Sequence, residues 1–429
     1  MKTVSELDQI NASIKKANKN VYSLLSKRGQ ESYFPSGGIL LQAADAQGKK
    51  INATIGIALN DDTTPASLKP IRDLINMEPK DYLPYVSSYG KSELRSIWAK
   101  KIRLKNPLLK NEISTPVVTA SLSHAINLCG YLFIEKGDEV IMPHLFWENY
   151  TALLVRGYEG KIKTFNTFKN GGFDIKAMKK ALAGKKSKKI IFLNFPNNPT
   201  GYTPTIKEAD QILAAIKEAA DKGSNIVAIV DDAYFGLVYK EDVYEESLFA
   251  KLSNLSEKVL AVKVDGPTKE DYAWGLRIGF MTFGTKNGNK ELYAALENKT
   301  AGGVRGTVSN AANLSQTILV KAYSSIDYDE EKAKKYTMLK ERFETTEKVL
   351  ENKKFEKYFT PLPHNSGYFM CIELKKLDAE SVRKKLLEKY STGVVSQGKI
   401  VRIAFSAVKK DLIPELFENI YLACVELSK

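Results

Sequence analysis

From residue 117 to residue 264 the chain repeats one pattern, a short apolar run rich in β-branched residues followed by a segment of helical spacing. The runs are VVT at 117–119, EVIMP at 139–143, IKTF at 162–165, IIFLNF at 190–195, NIVAIVDD at 225–232 and VLAVKV at 259–264. Runs this apolar need cover on both faces, and helices between successive runs are what a parallel strand order demands. The pattern predicts an α/β fold with a large domain built on a mostly parallel sheet, covered by helices on both faces. Ligands of such sheets bind beyond the carboxyl ends of the strands, so the residues just after each run carry the functional reading.

The flanking segments read differently. Residues 1–30 set Val4, Leu7, Ile10, Ile14, Ala17 and Val21 on one face, which predicts an amphipathic helix suited to packing on a neighbouring element or subunit. The glycines Gly37 and Gly38 follow, then a short strand in ILLQAA, a turn and a second short strand. Either glycine lets the backbone approach a ligand closely, and either equally makes a plain turn. From about Pro65 to Ile102 the expectation is helix, irregular segment, helix, with Tyr82, Tyr85 and Tyr89 in the middle as core packing or a site-facing loop. A charged helix at about 327–352 leads to a smaller α+β domain with strands in GYFMCIEL and KIVRIAFS. The expected division is an N-terminal arm with part of the small domain (1–62), a large domain (63–322) and a C-terminal small domain (323–429).

Composition narrows the classes of function. With 429 residues, 43% of them hydrophobic, the chain can bury more than one core. No run has the apolar length of a membrane span, and the N-terminus lacks the apolar centre of a signal peptide. Cys129, Cys371 and Cys424 are scattered without metal or redox spacing, so no metal is expected and the thiols read as reduced, in a cytoplasmic protein. The formal charge of +14 raises nucleic acid as a partner. The lysines, however, lie in helix-like polar segments such as KAMKKAL or among acids as in DYDEEKAKK, and read as a solvated surface.

The chemistry concentrates after the strands. Lys269 follows VLAVKV across a Gly266–Pro267 turn, and Arg277 opens the next apolar run, IGFMTF. An amine and a guanidinium so placed suit a cofactor carrying an aldehyde and a phosphate; a solvated lysine beside a structural arginine is the plain alternative. Ser121, Leu122 and Ser123 begin a helix after VVT, where hydroxyls and backbone N–H groups suit a phosphate and the serines equally suit helix caps. Trp147 after EVIMP can stack on a flat ring or fill the core. Asn198, in the rigid turn PNNPTG, offers an amide to a phenolate oxygen. Asp231 ends a buried strand and wants a cation, such as a protonated pyridine nitrogen. Tyr234 can share the phenolate oxygen, while Asp232 reads as a helix cap. Arg402, inside IVRIAF, wants a carboxylate from protein or substrate.

In that order YVSSYGKSELR, ASLSHA after a strand, Trp147, PNNPTG, DDAY, Lys269 with Arg277, VRGTVSN and KIVRIAF resemble the class I/II aminotransferases of fold type I. The resemblance spans nearly the whole chain and implies pyridoxal 5′-phosphate as cofactor, in a Schiff base with Lys269. It implies Asp231 at the pyridine nitrogen, Asn198 and Tyr234 at the phenolate oxygen, and Trp147 stacked on the ring. Arg277, Ser121, Ser123 and the amides around Leu122 would bind the phosphate. Tyr85 would reach the phosphate of a neighbour in a homodimer with shared active sites. Arg402 would clamp the substrate α-carboxylate beside the backbone of Gly38, and Lys269 would carry the α-proton. The expected activity moves the amino group of an L-amino acid to a 2-oxo acid. Arg305, in VRGTVSN, matches a position that pairs with a distal carboxylate across the dimer, which points to acidic or aromatic substrates.

The chain departs from the family pattern in three places. Gly266 stands where a phosphate-binding serine is usual, the usual glycine of the phosphate turn is missing around Ser121, and EDYAW replaces a loop of small residues after Lys269. A lyase that cleaves C–S bonds uses the same scaffold and the same lysine. A cofactor-binding transcriptional sensor would need a DNA-binding domain, and about 35 residues before Gly37 are too few for one.

Overall fold

A computed structural model describes residues 5–33, 38–75, 77–184 and 188–429. Val4 and Gly37 lie outside the described residues. The large sheet has seven strands, in the order Val117–Thr119, Gly279–Gly284, Val259–Asp265, Asn225–Asp231, Lys188–Asn194, Glu139–Pro143 and Lys161–Phe165. Gly279–Gly284 runs antiparallel to both of its neighbours, and the other pairings are parallel. The reversal has a local cause. A parallel return needs a crossover of a dozen or more residues, usually a full helix. Between Asp265 and Gly279 there is only a helical turn at Pro267–Glu270 and a 3₁₀ turn at Trp274–Leu276. The chain therefore turns straight back, so Lys269 and Arg277 lie at one edge of the sheet.

Period-two alternation divides the strands between two cores. Ile141, Ile191, Leu193, Val230, Ala261 and Phe280 pack on one face, Val140, Met142, Phe192, Ile229, Val262, Val264 and Met281 on the other. Trp98, fully buried on the first face, stacks on Phe280 with ring centroids 4.3 Å apart.

The helix Tyr328–Leu350 leads to a four-stranded antiparallel sheet in the order Phe359–Pro361, Met370–Leu374, Ile400–Ile403, Val395–Gln397. Residues from early in the chain complete this unit. Ile51 and Asn52 pair in parallel with Thr392 and Gly393, and Ala53, Ala58, Ala66 and Leu68 share its core with Phe343, Tyr368 and Phe405.

Three expectations are corrected. Gly38–Asp45 is an α-helix, where a short strand was expected. Leu, Gln and Ala favour helix, and a helical face lets Gln42 bond the backbone of Ser396 in both directions, at 3.1 and 2.7 Å. The N-terminal helix is not continuous: it ends at Ala17, because extended Asn18 caps a second helix, accepting from the N–H groups of Asn20 and Val21. The helix expected after Trp147 is a six-residue π-helical segment, Thr151–Arg156. Of the tyrosine cluster, Tyr85 is 92% exposed, whereas Tyr89 packs against the second core and accepts a hydrogen bond from Asn298.

Candidate active site

Lys269 is the third residue of the turn Pro267–Glu270, just past the carboxyl end of its strand. Its Nζ donates to the carbonyl of Gly56 at 2.9 Å and lies 5.2 Å from the ring centre of Tyr234. Its own carbonyl accepts from the Tyr368 hydroxyl at 2.7 Å. Burial, then the Arg402 and Arg277 cations, pull the amine down to about 8 from the usual 10.5, with Asp231 acting the other way. At pH 7 roughly a tenth is thus the free base that nucleophilic attack needs, far more than in an ordinary lysine.

Asp231 ends the neighbouring strand in register with Val264. It is buried, with Oδ2 accepting from the Tyr150 hydroxyl at 2.5 Å and Oδ1 from the N–H of Ala233 at 3.0 Å. Burial pushes its carboxyl up to about 6, and the two hydrogen bonds work against that rise. A buried anion so held is suited to a cationic ring nitrogen. Asp232 is no helix cap, as the sequence suggested. It points to the other side, forms a buried ion pair with Lys263 and accepts from Ser247 Oγ at 2.6 Å.

Arg402 sits mid-strand opposite Cys371 and is buried. Its guanidinium lies 4.5 Å from the Phe369 ring centre and donates to Thr54 O at 3.0 Å and Asn198 Oδ1 at 3.4 Å. Asn198 is braced by its backbone N–H, which donates to Asn194 Oδ1 at 2.8 Å. Trp147, Asn198 and Arg402 line one cleft together with Ile39 and Glu148. Trp147 also meets Tyr150 edge-on at 5.4 Å. Tyr234 is buried against Tyr368 and Phe369. Gly38, at φ +74°, begins the helix that carries Ile39 into this cleft.

Ser121 adopts φ 106° and caps the helix Leu122–Phe133, its Oγ accepting from His124 N at 3.3 Å. Its hydroxyl therefore serves the cap, and Leu122 and Ser123 form the first turn. The antiparallel strand comes very near: a Cβ on Gly279 would lie 2.5 Å from the Ser121 carbonyl carbon and 2.6 Å from Leu122 N. Gly279→Ala is expected to cost about 1–3 kcal/mol by overpacking. A fall in melting temperature checks it; an unchanged value would mean that strand and turn separate freely.

Arg277, exposed in the left-handed region at φ 51°, donates to Trp274 O at 3.0 Å. Arg305 is exposed near the end of helix Lys290–Thr307 and donates to Ser309 Oγ at 2.8 Å, within its own chain. Lys269, Asp231, Tyr234, Asn198, Trp147 and Arg402 are thus brought together. Tyr85 and Arg305 are on the surface of the single chain.

A half-buried amine of lowered basicity, a buried carboxylate and a buried guanidinium beside a helix start can bind an amino acid and a carbonyl compound. Residues 49–420 match the family described as aminotransferase class I and II. The chain belongs to that family. A probable aspartate aminotransferase of Methanocaldococcus jannaschii is 30% identical over 208 residues, 48% of this chain and 51% of the relative. An aspartate aminotransferase of Bacillus sp. strain YM-2 is 25% identical over 256 residues, 58% of this chain and 59% of the relative. The matches thus span between half and three-fifths of these curated relatives. The crystal structure of an aminotransferase from Anaerococcus prevotii superposes with a TM-score of 0.82 at 25% identity, covering 94% of this chain and 99% of that one. These neighbours share the fold type I architecture.

The structure accounts for one family departure. A Cβ at Gly266 would lie 2.9 Å from both Ile278 O and Leu122 Cδ1, so the usual serine does not fit there. Sequence reasoning missed Tyr150, Gly56 and Tyr368. The first had a signal, a tyrosine one helical turn after Trp147; the other two reach the site only through the tertiary fold.

Proposed function

We propose that this chain moves the amino group of an L-amino acid to a 2-oxo acid, with pyridoxal 5′-phosphate held on Lys269. The observation that carries the reading is the half-buried Lys269 amine of lowered basicity, flanked by the buried Asp231 and Arg402, at the carboxyl edge of the sheet. The residues suit the group. Arg402 Nε and Thr268 Oγ1 are buried with no hydrogen-bond partner among the described residues, so polar capacity is left over for a ligand. Asp231 would keep the ring nitrogen protonated, and Asn198 and Tyr234 would hold the phenolate oxygen. Trp147 would cover the ring, and Arg277 with Ser121, Leu122 and Ser123 would hold the phosphate.

When bound, the cofactor supplies an electron sink for the bond to the α-hydrogen. The protein does the rest. Arg402, with Asn198 and the backbone near Gly38, fixes the α-carboxylate, so the α-hydrogen is presented to Lys269. Lys269 Nζ, once displaced by the substrate amine, takes that proton and returns it to the carbon that must gain it. The Tyr234 and Tyr368 rings lie over the amine and limit its access to water.

Two further parts belong to this reading. Tyr85, fully available on the surface, suits a homodimer in which it completes the neighbour's phosphate site, and Arg305 suits a distal carboxylate across the same interface. The domain limits near residues 62 and 322 set the large domain against a small one. Among the described residues no helix is long and apolar enough to cross a membrane.

The test is spectroscopic. Protein reconstituted with pyridoxal phosphate should gain visible absorption that L-aspartate, L-glutamate or an aromatic amino acid bleaches and a 2-oxo acid restores. Release of ammonia and pyruvate from a sulfur amino acid would instead make the protein a C–S lyase. Absence of any visible band would overturn the cofactor assignment.

A further inference from the structure

The acidic pair that follows Lys269 is a departure from the family pattern for which the amino-transfer chemistry above has no use. Glu270 is 3% exposed and Asp271 not at all, and all four carboxylate oxygens are engaged. Glu270 Oε1 accepts from Lys105 Nζ at 2.7 Å and Oε2 from Lys332 Nζ at 2.7 Å. Asp271 Oδ1 takes Lys332 Nζ at 2.9 Å and the Tyr328 hydroxyl at 2.6 Å, and Oδ2 the Tyr323 hydroxyl at 2.8 Å. Lys101 Nζ adds a contact to Tyr328 at 3.0 Å.

Three elements thus converge behind one four-residue turn. Lys101 and Lys105 come from the helix Ser92–Lys105, and Tyr323 ends the helix Asn313–Tyr323. Lys332 and Tyr328 come from the first turns of Tyr328–Leu350, the helix that enters the C-terminal unit. Buried ion pairs repay their desolvation poorly, so stability alone is a weak reason for this cluster. Position is a better one. A single turn cannot fix a long side chain by its own hydrogen bonds, and here the two residues that follow the lysine tie its turn to three helices through their carboxylates.

We propose that Glu270 and Asp271, through Lys105 and above all Lys332, position the Lys269 amine and couple it to the helix entering the C-terminal unit. Lys332 is the linchpin because its ammonium touches both carboxylates. Loosening it frees the turn, and water then reaches an amine whose low basicity comes first from burial. The groups that face the amine are Asp231, Arg277, Arg402, Tyr234 and Tyr368, none of which the substitutions alter. This inference rests on the role given to Lys269 above.

The test uses Lys332→Met, Lys332→Arg and Glu270→Gln in the full chain. In cofactor-free protein, acetic anhydride labelling of Lys269 against pH, read by mass spectrometry, should have its midpoint near 8 in the wild type. Lys332→Met should raise that midpoint by about one pH unit, a tenfold loss of free base. Reconstituted Lys332→Met should also transfer amino groups roughly 10- to 100-fold more slowly, at similar KM, as expected of a misplaced reacting group. Lys332→Arg, which keeps the charge, should return the midpoint towards the wild type. Glu270→Gln should shift it in the same direction as Lys332→Met, and it carries the test if Lys332→Met does not fold. Folded variants that keep the wild-type midpoint and rate would overturn the proposal. So would a loss of melting temperature with no movement of either. A wild type that gains no visible band would sink the cofactor assignment, while the labelling midpoints would still judge the positioning.

Discussion

Lys269→Ala should bind pyridoxal phosphate without fixing it and should transfer no amino group. Proton transfer alone contributes roughly 10²–10⁴-fold, and the same substitution removes the nucleophile, so a fall in kcat/KM beyond about 10⁴-fold is expected. Lys269→Arg should do no better, since a guanidinium stays charged and cannot attack a carbonyl. Borohydride reduction followed by peptide mass spectrometry gives the independent readout. The wild type should carry the cofactor on the peptide holding Lys269, and neither variant should carry it anywhere. Attachment to another lysine, with activity retained in Lys269→Ala, would sink the assignment.

Asp231→Asn should separate function from stability. Loss of a preorganised charge at a reacting centre costs about 10²–10³-fold in rate, so amino transfer should fall by at least that much. The fold should gain. The Asp231 carboxyl titrates near 6 in the folded chain, above its ordinary 3.8, because burial opposes ionisation. A raised value means that its contribution to stability is complete below about 3.8 and is lost as pH rises through about 6. The shift of about two units corresponds to at most about 3 kcal/mol. Cofactor-free Asp231→Asn should therefore melt above the wild type at pH 8, with the gap narrowing towards pH 4. A variant that melts lower at pH 8, or one that keeps full activity, would contradict the role given to this carboxylate.

Much of this was legible in the sequence because buried parallel strands leave long apolar runs. The seven-stranded sheet and its carboxyl edge follow from six such runs and from IGFMTF, and Lys269, Asp231, Asn198 and Arg402 meet there. The antiparallel return at Gly279–Gly284 was not legible, since the Asp265–Gly279 connection is long enough for a crossover and only the lack of a full helix in it turns the chain straight back. What else was not legible depends on contacts distant in sequence. ILLQAA reads equally as a strand, and it is helical because Gln42 finds Ser396, 354 residues away. Gly266 looks like a lost phosphate ligand until Ile278 and Leu122 are seen against it. Asp232 resembles a cap until Lys263, hidden within VLAVKV, turns out to be its partner. The acids of EDYAW looked like an oddity because Lys105 precedes them by 165 residues and Lys332 follows by 62.

The pairing of Ile51 and Asn52 with Thr392 and Gly393 bears on how the protein is made. Thr54 receives Arg402, and Gly56 receives Lys269. During synthesis the strands of the large sheet can assemble as they leave the ribosome, while Ile51, Asn52 and Thr54 wait for Thr392, Gly393 and Arg402, the last of them 348 residues on. Contacts of such span form late and slow the final step. Until then the Lys269 amine lacks both the Gly56 carbonyl and the Tyr368 ring over it, and without burial it keeps the basicity of an ordinary, mostly protonated lysine. Reactivity towards an aldehyde is thus switched on only when the last strands dock, and ribosome-bound chains stalled before residue 392 would carry at position 269 a lysine no more reactive than those on the surface.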